Sequence, residues 1–271
     1  MTELSKNTKL KDRVWGSIRQ EAEEVVSTEP ALASYYYASI LKHDSLREAI
    51  SFELANKLNS DAVPAMLLRE LIERILDDRD GVFDAMVQDI CAHKERDPAC
   101  DKYSTPLLYF KGFNALAAYR IAHELWQEGR EYLAFYLQNK ISECFGVDIH
   151  PGAIFGAGIM IDHATGLVVG ETSVLGNNIS IFHSVTLGGI GCESGERHPK
   201  IEDDVLISVG AKILGNVSIG RGAKIAAGSV VLSDIPANAT VAGVPAKAVG
   251  QLSGLALSEA PEFLWEKMNC D

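Results

Sequence analysis

From Gly146 onward, aliphatic residues return at every sixth position. Ile149, Phe155 and Ile161 form one run, Val169, Leu175, Ile181 and Leu187 a second, and Ile201, Ile207, Ile213, Ile219, Ile225 and Val231 a third. Neither a helix, with a period of about 3.6, nor an ordinary strand, with a period of about 2, repeats in this way. A six-residue repeat marks a parallel β-helix, whose coils are three short strands with one aliphatic side chain turned inward from each. Small or β-branched residues stand four positions after most of the aliphatics, among them Ala153, Ser173, Val185, Val205, Ala211 and Ala223. Thirteen hexapeptides at three per coil make a little over four coils, and stacking at ~4.8 Å per layer makes a prism about 20 Å tall. The repeat does not fix the hand of the prism, for which the usual crossover rule predicts right-handed.

Glycine divides the chain at the same place. Of 23 glycines, only Gly16, Gly81, Gly112 and Gly129 fall before residue 141, as expected if the rest turn tight solenoid corners. The frame slips twice. Ile161 to Val169 spans eight residues and contains Asp162-His163-Ala164-Thr165-Gly166, and Leu187 to Ile201 spans fourteen and contains Arg197-His198-Pro199. Slips project residues out of a solenoid, so these two segments are the first places to look for function.

Residues 1–145 read as an all-α region. Leu10, Val14, Ile18, Ala22 and Val25 keep helical spacing. Further helices are expected over Ala31–His43, from Ser45 to Leu58, after Pro64, over Val82–His93, from Thr105-Pro106 through Leu125, and over Glu131–Cys144. Tyr35, Tyr36, Tyr37, Trp126 and Tyr132 are expected to pack in the core or between helices. The chain therefore divides into a helical segment (1–145), a β-helix (146–250) and a tail (251–271).

With 25 basic and 37 acidic residues the net charge is −12, which excludes binding a polyanion through the overall field. An anionic ligand must find local donors, and Lys212, Arg221, Lys224 and Lys247 are most of the basic residues available in the second half. The first 30 residues carry no apolar run and no stretch is long enough to span a bilayer, so a cytoplasmic protein without a membrane segment is expected. Five scattered cysteines with no C-x-x-C pair predict reduced thiols.

His150, His163, His183 and His198 lack the close pairing that a metal site on adjacent coils requires, so no metal is expected. A histidine base with a carboxylate orienter fits better. Asp148 and His163 are 15 residues apart, close to one coil, and can lie on neighbouring layers at one corner; otherwise Asp148 caps a turn. Thr186-Leu187-Gly188-Gly189-Ile190-Gly191 is no dinucleotide loop, but its glycines can expose backbone N–H groups to a ligand. Arg197 and His198 offer donors to a carboxylate.

Several segments together closely resemble bacterial serine O-acetyltransferases of the hexapeptide-repeat acyltransferase superfamily. They are Arg96-Asp97-Pro98, Tyr103-Ser104-Thr105-Pro106, Asp148-Ile149-His150-Pro151, Asp162-His163-Ala164-Thr165-Gly166, Ser184-Val185-Thr186-Leu187-Gly188-Gly189, Arg197-His198-Pro199-Lys200 and Ala242-Gly243-Val244-Pro245-Ala246-Lys247. The resemblance covers roughly residues 10–250. It implies an α+β chain, an N-terminal α-helical domain followed by a left-handed parallel β-helix, assembled as a homohexamer (a dimer of trimers) with active sites between neighbouring β-helices. It implies acetyl transfer from acetyl-CoA to the hydroxyl of L-serine, giving O-acetyl-L-serine for cysteine biosynthesis.

His163 is then the general base and Asp148 its orienter. The resemblance further implies that Asp97 and Asp162 take the serine ammonium, and Arg197 and His198 its carboxylate. Gly189, Val209, Ala227 and Lys247 serve the acetyl-CoA side, Gly189 through its backbone N–H. L-cysteine is the expected feedback inhibitor. O-acetylserine sulfhydrylase docks in many family members through a C-terminal Ile, which this chain, ending Met268-Asn269-Cys270-Asp271, lacks. Ser208-Val209 stands where the family usually has Gly-Ala, and Ile190 and Cys192 where it often has Thr and Lys. The alternatives are a hexapeptide acyltransferase acting on another hydroxyl or amine, for which paired opposite charges have no use, and a non-catalytic assembly protein, in which His163 is dispensable.

Overall fold

A computed structural model describes residues 3–191 and 194–251. The chain begins with helices α1 (Glu3–Thr28), α2 (Ala33–Tyr36), α3 (Leu46–Leu58), α4 (Ala65–Asp78), α5 (Asp80–Arg96), α6 (Ser104–Tyr109), α7 (Lys111–Gln127) and α8 (Glu131–Phe145). Ser45 caps α3 by accepting from the Glu48 N–H at 3.3 Å.

Two expected helices are interrupted. The segment over Ala31–His43 is a 3₁₀ turn, the short α2 and a π turn over Tyr37–Leu41. The long helix from Thr105 to Leu125 is α6 and α7, separated at Phe110, whose backbone is extended (φ −86°, ψ 108°). Charged side chains far away in sequence satisfy both ends of α6. Glu21 accepts from the Tyr103 and Ser104 N–H groups at 3.1 and 2.8 Å, and Lys57 Nζ donates to the Leu107 and Leu108 carbonyls at 3.4 and 2.9 Å. Of the tyrosines expected in the packing, Tyr36 is buried, whereas Tyr37 and Tyr132 are 60% and 94% exposed.

Gly146, in the left-handed conformation at φ 66°, ends α8 and hands the chain to the β-helix. The first coil holds β1 (Val147–Ile149), β2 (Ile154–Phe155) and β3 (Met160–Ile161), and the second β4 (Leu167–Val169), β5 (Val174–Leu175) and β6 (Ser180–Ile181). The third holds β7 (Thr186–Gly188), β8 (Lys200–Ile201) and β9 (Leu206–Ile207), and the fourth β10 (Lys212–Leu214), β11 (Ser218–Ile219) and β12 (Lys224–Ile225). A fifth coil follows with β13 (Val230–Val231), a bridge at Ile235 and β14 (Ala239–Ala242), after which β15 (Lys247–Gln251) returns antiparallel. The sequence repeat ends at Val231 and counts a little over four coils. The fifth is hidden because Ile235 follows Val231 at four positions instead of six.

Three parallel faces result: β1-β4-β7-β10-β13, β2-β5-β8-β11, and β3-β6-β9-β12-β14 with β15 at its edge. Along the first face Ile149, Val169, Leu187, Ile213 and Val231 stack in register. All five are buried, which is what the six-residue period encodes.

The helices clamp one end of this prism. Arg120 donates twice to the buried Asp89 carboxylate, at 2.8 and 3.1 Å, and once to the Gly156 carbonyl at 2.6 Å, while Asp89 also accepts from the Ile159 N–H at 2.8 Å. Arg96, at the end of α5, donates to Ser180 Oγ at 3.1 Å and to the Gly158 carbonyl at 2.6 Å. Tyr119 donates to the Ala153 carbonyl. These bonds fix α5 and α7 against the corners on either side of β2, one strand before the first sequence slip emerges.

Candidate active site

The first slip joins β3 to β4. His163 and Ala164 both have left-handed backbones, φ 54° and 60°, a conformation that non-glycine residues adopt only when the surroundings impose it. Ala164 is buried, so the turn is anchored through it, and the His163 ring stands 74% exposed. His163 Nε2 lies 3.8 Å from Asp162 Oδ2, and its ring meets that of His183, one coil further on, edge to face at 5.7 Å. Asp97, which caps the end of α5 through an N–H bond to the His93 carbonyl, comes from the helical half to the same place. Burial raises the Asp162 carboxyl above its ordinary value, the nearby His163 opposes this, and the charge of Asp97 adds to it. Two carboxylates and a histidine thus share the edge between the third and first faces.

The second group occupies the opposite edge, between the first and second faces. Arg197 Nη2 pairs with Glu171 Oε2 at 2.5 Å, which holds the Glu171 carboxyl below its usual range. His198 is buried against the turn after β4, and burial followed by the Arg197 charge lowers its pKa. Gly189 packs on the Arg197 carbonyl and near His198 Nε2. His150 adjoins this group, held between Trp126 and Phe135 with ring centroids at 5.1 and 5.6 Å. No hydrogen bond or ion pair among the described residues joins this group to the His163 group. Between the two edges lies the width of the first face, about 10 Å for a three-residue strand at ~3.3 Å per residue.

The residues expected for acetyl-CoA divide between these edges. Val209 and Ala227 continue the line from His183 down the first edge, where the Gly210 N–H donates to the His183 carbonyl at 3.0 Å and the Gly228 N–H to the Val209 carbonyl at 2.8 Å. Lys247 is exposed at the start of β15, just past Ala246, whose N–H bonds the Val230 carbonyl at 2.8 Å. Gly189 stands on the other edge. Of the remaining basic residues, Arg221 is engaged by Asp203 and Asp204 at 2.6 and 3.0 Å, and Lys212 by Ser184 and Thr186.

Asp148 and His163 do not form a bonded pair within the chain. Asp148 lies in register with Val168 rather than with His163, and its Oδ1 accepts from Gln138 Nε2 at 2.7 Å. The slip adds two residues to the first coil and carries His163 off the corner that spacing alone would assign it. Sequence reasoning missed Glu171 and Thr172, which hold Arg197 and His198. They sit in an in-frame corner, and only their acid and hydroxyl next to Gly170 signalled anything but a turn. Cys192 and the tail from 252 lie outside the described residues. Among the described residues no three His, Cys, Asp or Glu side chains are grouped to hold a metal, and no helix is long and apolar enough to cross a membrane.

The N-terminal domain model of serine acetyltransferases matches residues 14–118, and the bacterial transferase hexapeptide model matches residues 198–233. The serine acetyltransferase of Escherichia coli K12 is 56% identical over 238 residues, covering 88% of this chain and 87% of that protein. The chain belongs to the serine acetyltransferase family. The fold of the Vibrio cholerae serine acetyltransferase superposes with a TM-score of 0.90 at 53% identity, covering 92% of this chain and 96% of that one. Similar serine acetyltransferases are solved with serine (Neisseria gonorrhoeae, 53% identical, TM-score 0.85, 88% of this chain and 97% of that one) and with coenzyme A (Brucella abortus S19, 48%, 0.88, 90% and 97%). Another is solved with cysteine (55%, 0.87, 88% and 99%).

Proposed function

We propose that the chain transfers the acetyl group of acetyl-CoA to the hydroxyl of L-serine, giving O-acetyl-L-serine and coenzyme A. The observation that carries this is the meeting of Asp97 and Asp162, from separate halves of the chain, beside the exposed His163. A paired negative site next to a base suits an ammonium-bearing alcohol, and a neutral sugar hydroxyl has no use for it.

In the assigned mechanism Asp97 and Asp162 receive the serine ammonium, and Arg197 and His198 receive the carboxylate. His163 accepts the hydroxyl proton as serine oxygen attacks the thioester carbonyl. The tetrahedral oxyanion is steadied by the Gly189 N–H and collapses with loss of the thiolate, which takes the proton back from His163. Asp148, on the outer surface of the first face and held by Gln138 within its own chain, is assigned to orient the His163 of a neighbouring β-helix. Val209, Ala227 and Lys247 line the path of acetyl-CoA.

The two charge groups stand on opposite edges of one prism, so one chain cannot close both around one serine. A neighbouring β-helix supplies the second edge, which is the geometry of a trimer. We assign the homohexamer built from two such trimers, action in the cytoplasm, and inhibition by L-cysteine, which carries the same ammonium and carboxylate as serine. Docking of O-acetylserine sulfhydrylase falls on the tail, outside the described residues.

The test follows thiol release from acetyl-CoA with and without L-serine. Serine-dependent release, suppressed by cysteine and relieved by more serine, is expected. Release with a sugar or another amine but not with serine overturns the assignment.

A further inference from the structure

The Thr172 hydroxyl is the hub of the second edge. Its oxygen accepts from the Arg197 N–H at 3.1 Å and from the His198 N–H at 3.2 Å, and it stands 2.9 Å from His198 Nδ1. A hydroxyl has two lone pairs and one proton. The two backbone N–H groups occupy both lone pairs, so the proton goes to Nδ1. The Thr172 N–H, which can only donate, also points at Nδ1 from 3.2 Å. With two donors aimed at it, Nδ1 carries no proton, and the neutral ring bears its hydrogen on Nε2. Burial and the adjacent Arg197 charge favour that neutral ring.

Gly170 completes the seat. A Cβ on Gly170 would overlap the His198 imidazole at Nε2 and Cδ2. The ring occupies the space where any side chain at this position would begin. Gly170 and Thr172 thus fix the place of the ring, and Thr172 fixes its tautomer.

We propose that Thr172 is a positioning residue for the serine carboxylate: its hydroxyl aligns the Arg197–His198 backbone and holds His198 in the Nε2–H tautomer that presents a donor to the carboxylate, with Gly170 as the seat of the ring. The inference rests on the serine reading of the site and adds to it the group that orders its carboxylate half. The Thr172 hydroxyl is spent on Arg197 and His198, so its effect falls on serine recognition rather than on the acetyl-transfer step or on acetyl-CoA.

Thr172→Val, Thr172→Ser and Gly170→Ala are made in the full chain, and KM for each substrate, kcat and the melting temperature are measured. Loss of one such hydrogen bond corresponds to about tenfold. Thr172→Val is therefore expected to raise the serine KM about tenfold, with kcat falling less and the acetyl-CoA KM unchanged. Thr172→Ser, which keeps the hydroxyl, is expected to stay near the parent. Gly170→Ala displaces the ring outright and is expected to exceed Thr172→Val in the same parameter. An unchanged serine KM in Thr172→Val overturns the proposal. So does equal damage in Thr172→Ser, or a parallel rise in both KM values with a lowered melting temperature, which marks a merely structural role. If the parent releases no thiol with serine, the serine reading itself fails and this inference fails with it. Serine-dependent release by the parent with no change in Thr172→Val condemns the inference alone.

Discussion

Gly112, at the start of α7, lies directly against the carbonyl oxygen of Ile161, so that a Cβ at this position would overlap the oxygen. Ile161 is the last residue before Asp162 and His163. Alanine at a helix interior usually gains about 1 kcal/mol over glycine, but overpacking against backbone costs about 1–3 kcal/mol and forces a shift. Gly112→Ala is therefore expected to displace the first slip. The serine kcat/KM should fall at least about tenfold while far-ultraviolet circular dichroism stays that of the parent. Parental kinetics in this variant would show that α7 does not set the position of the slip.

His163→Asn separates the base from the backbone that carries it. Asn tolerates the left-handed conformation at φ 54° better than most residues, so the turn should persist while the imidazole is lost. Loss of a general base costs about 10²–10⁴-fold. The fall is expected in kcat, with the serine KM little changed, because the ammonium and carboxylate partners remain. Thiol-release kinetics decide the point, and a kcat within a few-fold of the parent removes His163 from the role.

The six-residue period announced the prism, its inward columns and the two slips, because each inward residue such as Val169 or Ile213 repeats one local environment. Helix interruptions were harder to see. The break at Phe110 depends on Glu21 and Lys57 capping α6 from α1 and α3, and no local window contains those partners. The same holds within the site. Asp162, Arg197 and His198 stood out by their place in the two slips and Asp97 only through the family resemblance, and their sorting onto two edges followed only from the register of β1, β4 and β7. Thr172 was illegible because a threonine in a corner looks like any other turn residue until three partners are seen around it.

The buried pair Asp89–Arg120 joins the helices to the prism near Ile159. Removing one member of such a pair leaves an uncompensated buried charge at a cost of roughly 3–5 kcal/mol, whereas replacing both with apolar residues is often close to neutral. Arg120→Met alone should lower the denaturation midpoint sharply, and Asp89→Leu with Arg120→Met should recover much of the loss. Equal destabilisation in the single and double variants would mean that packing, not charge, holds this junction.

Asp162 should cost the fold stability at neutral pH. Its folded pKa is raised, chiefly by burial and then by Asp97. A carboxyl raised in the folded state favours folding only below its unfolded pKa and loses that contribution as the pH rises through the folded value. The ionised carboxylate is thus disfavoured in the fold. Asp162→Asn is expected to melt above the parent at about pH 8, with the gap narrowing as the solution is acidified, while kcat/KM for serine falls because the ammonium loses a partner. A gap that is absent, or that widens as the solution is acidified, contradicts the raised carboxyl.

The placement of His163 and Arg197 on opposite edges of one prism makes a demand on assembly. If each site takes the His163 edge from one chain and the Arg197 edge from its neighbour, two inactive variants can repair each other. His163→Asn and Arg197→Ala should each lose most activity as pure oligomers. Mixed by co-expression or co-refolding, the interface between an Arg197→Ala chain offering His163 and a His163→Asn chain offering Arg197 is intact. Random mixing makes about one quarter of interfaces of that kind, so activity should return to about that fraction of the parent and grow in linearly with the proportion of mixed oligomers. Activity that never exceeds the sum of the pure variants means that a single chain closes its own site, and the two-edge geometry would then need a rearrangement of the loop carrying Arg197.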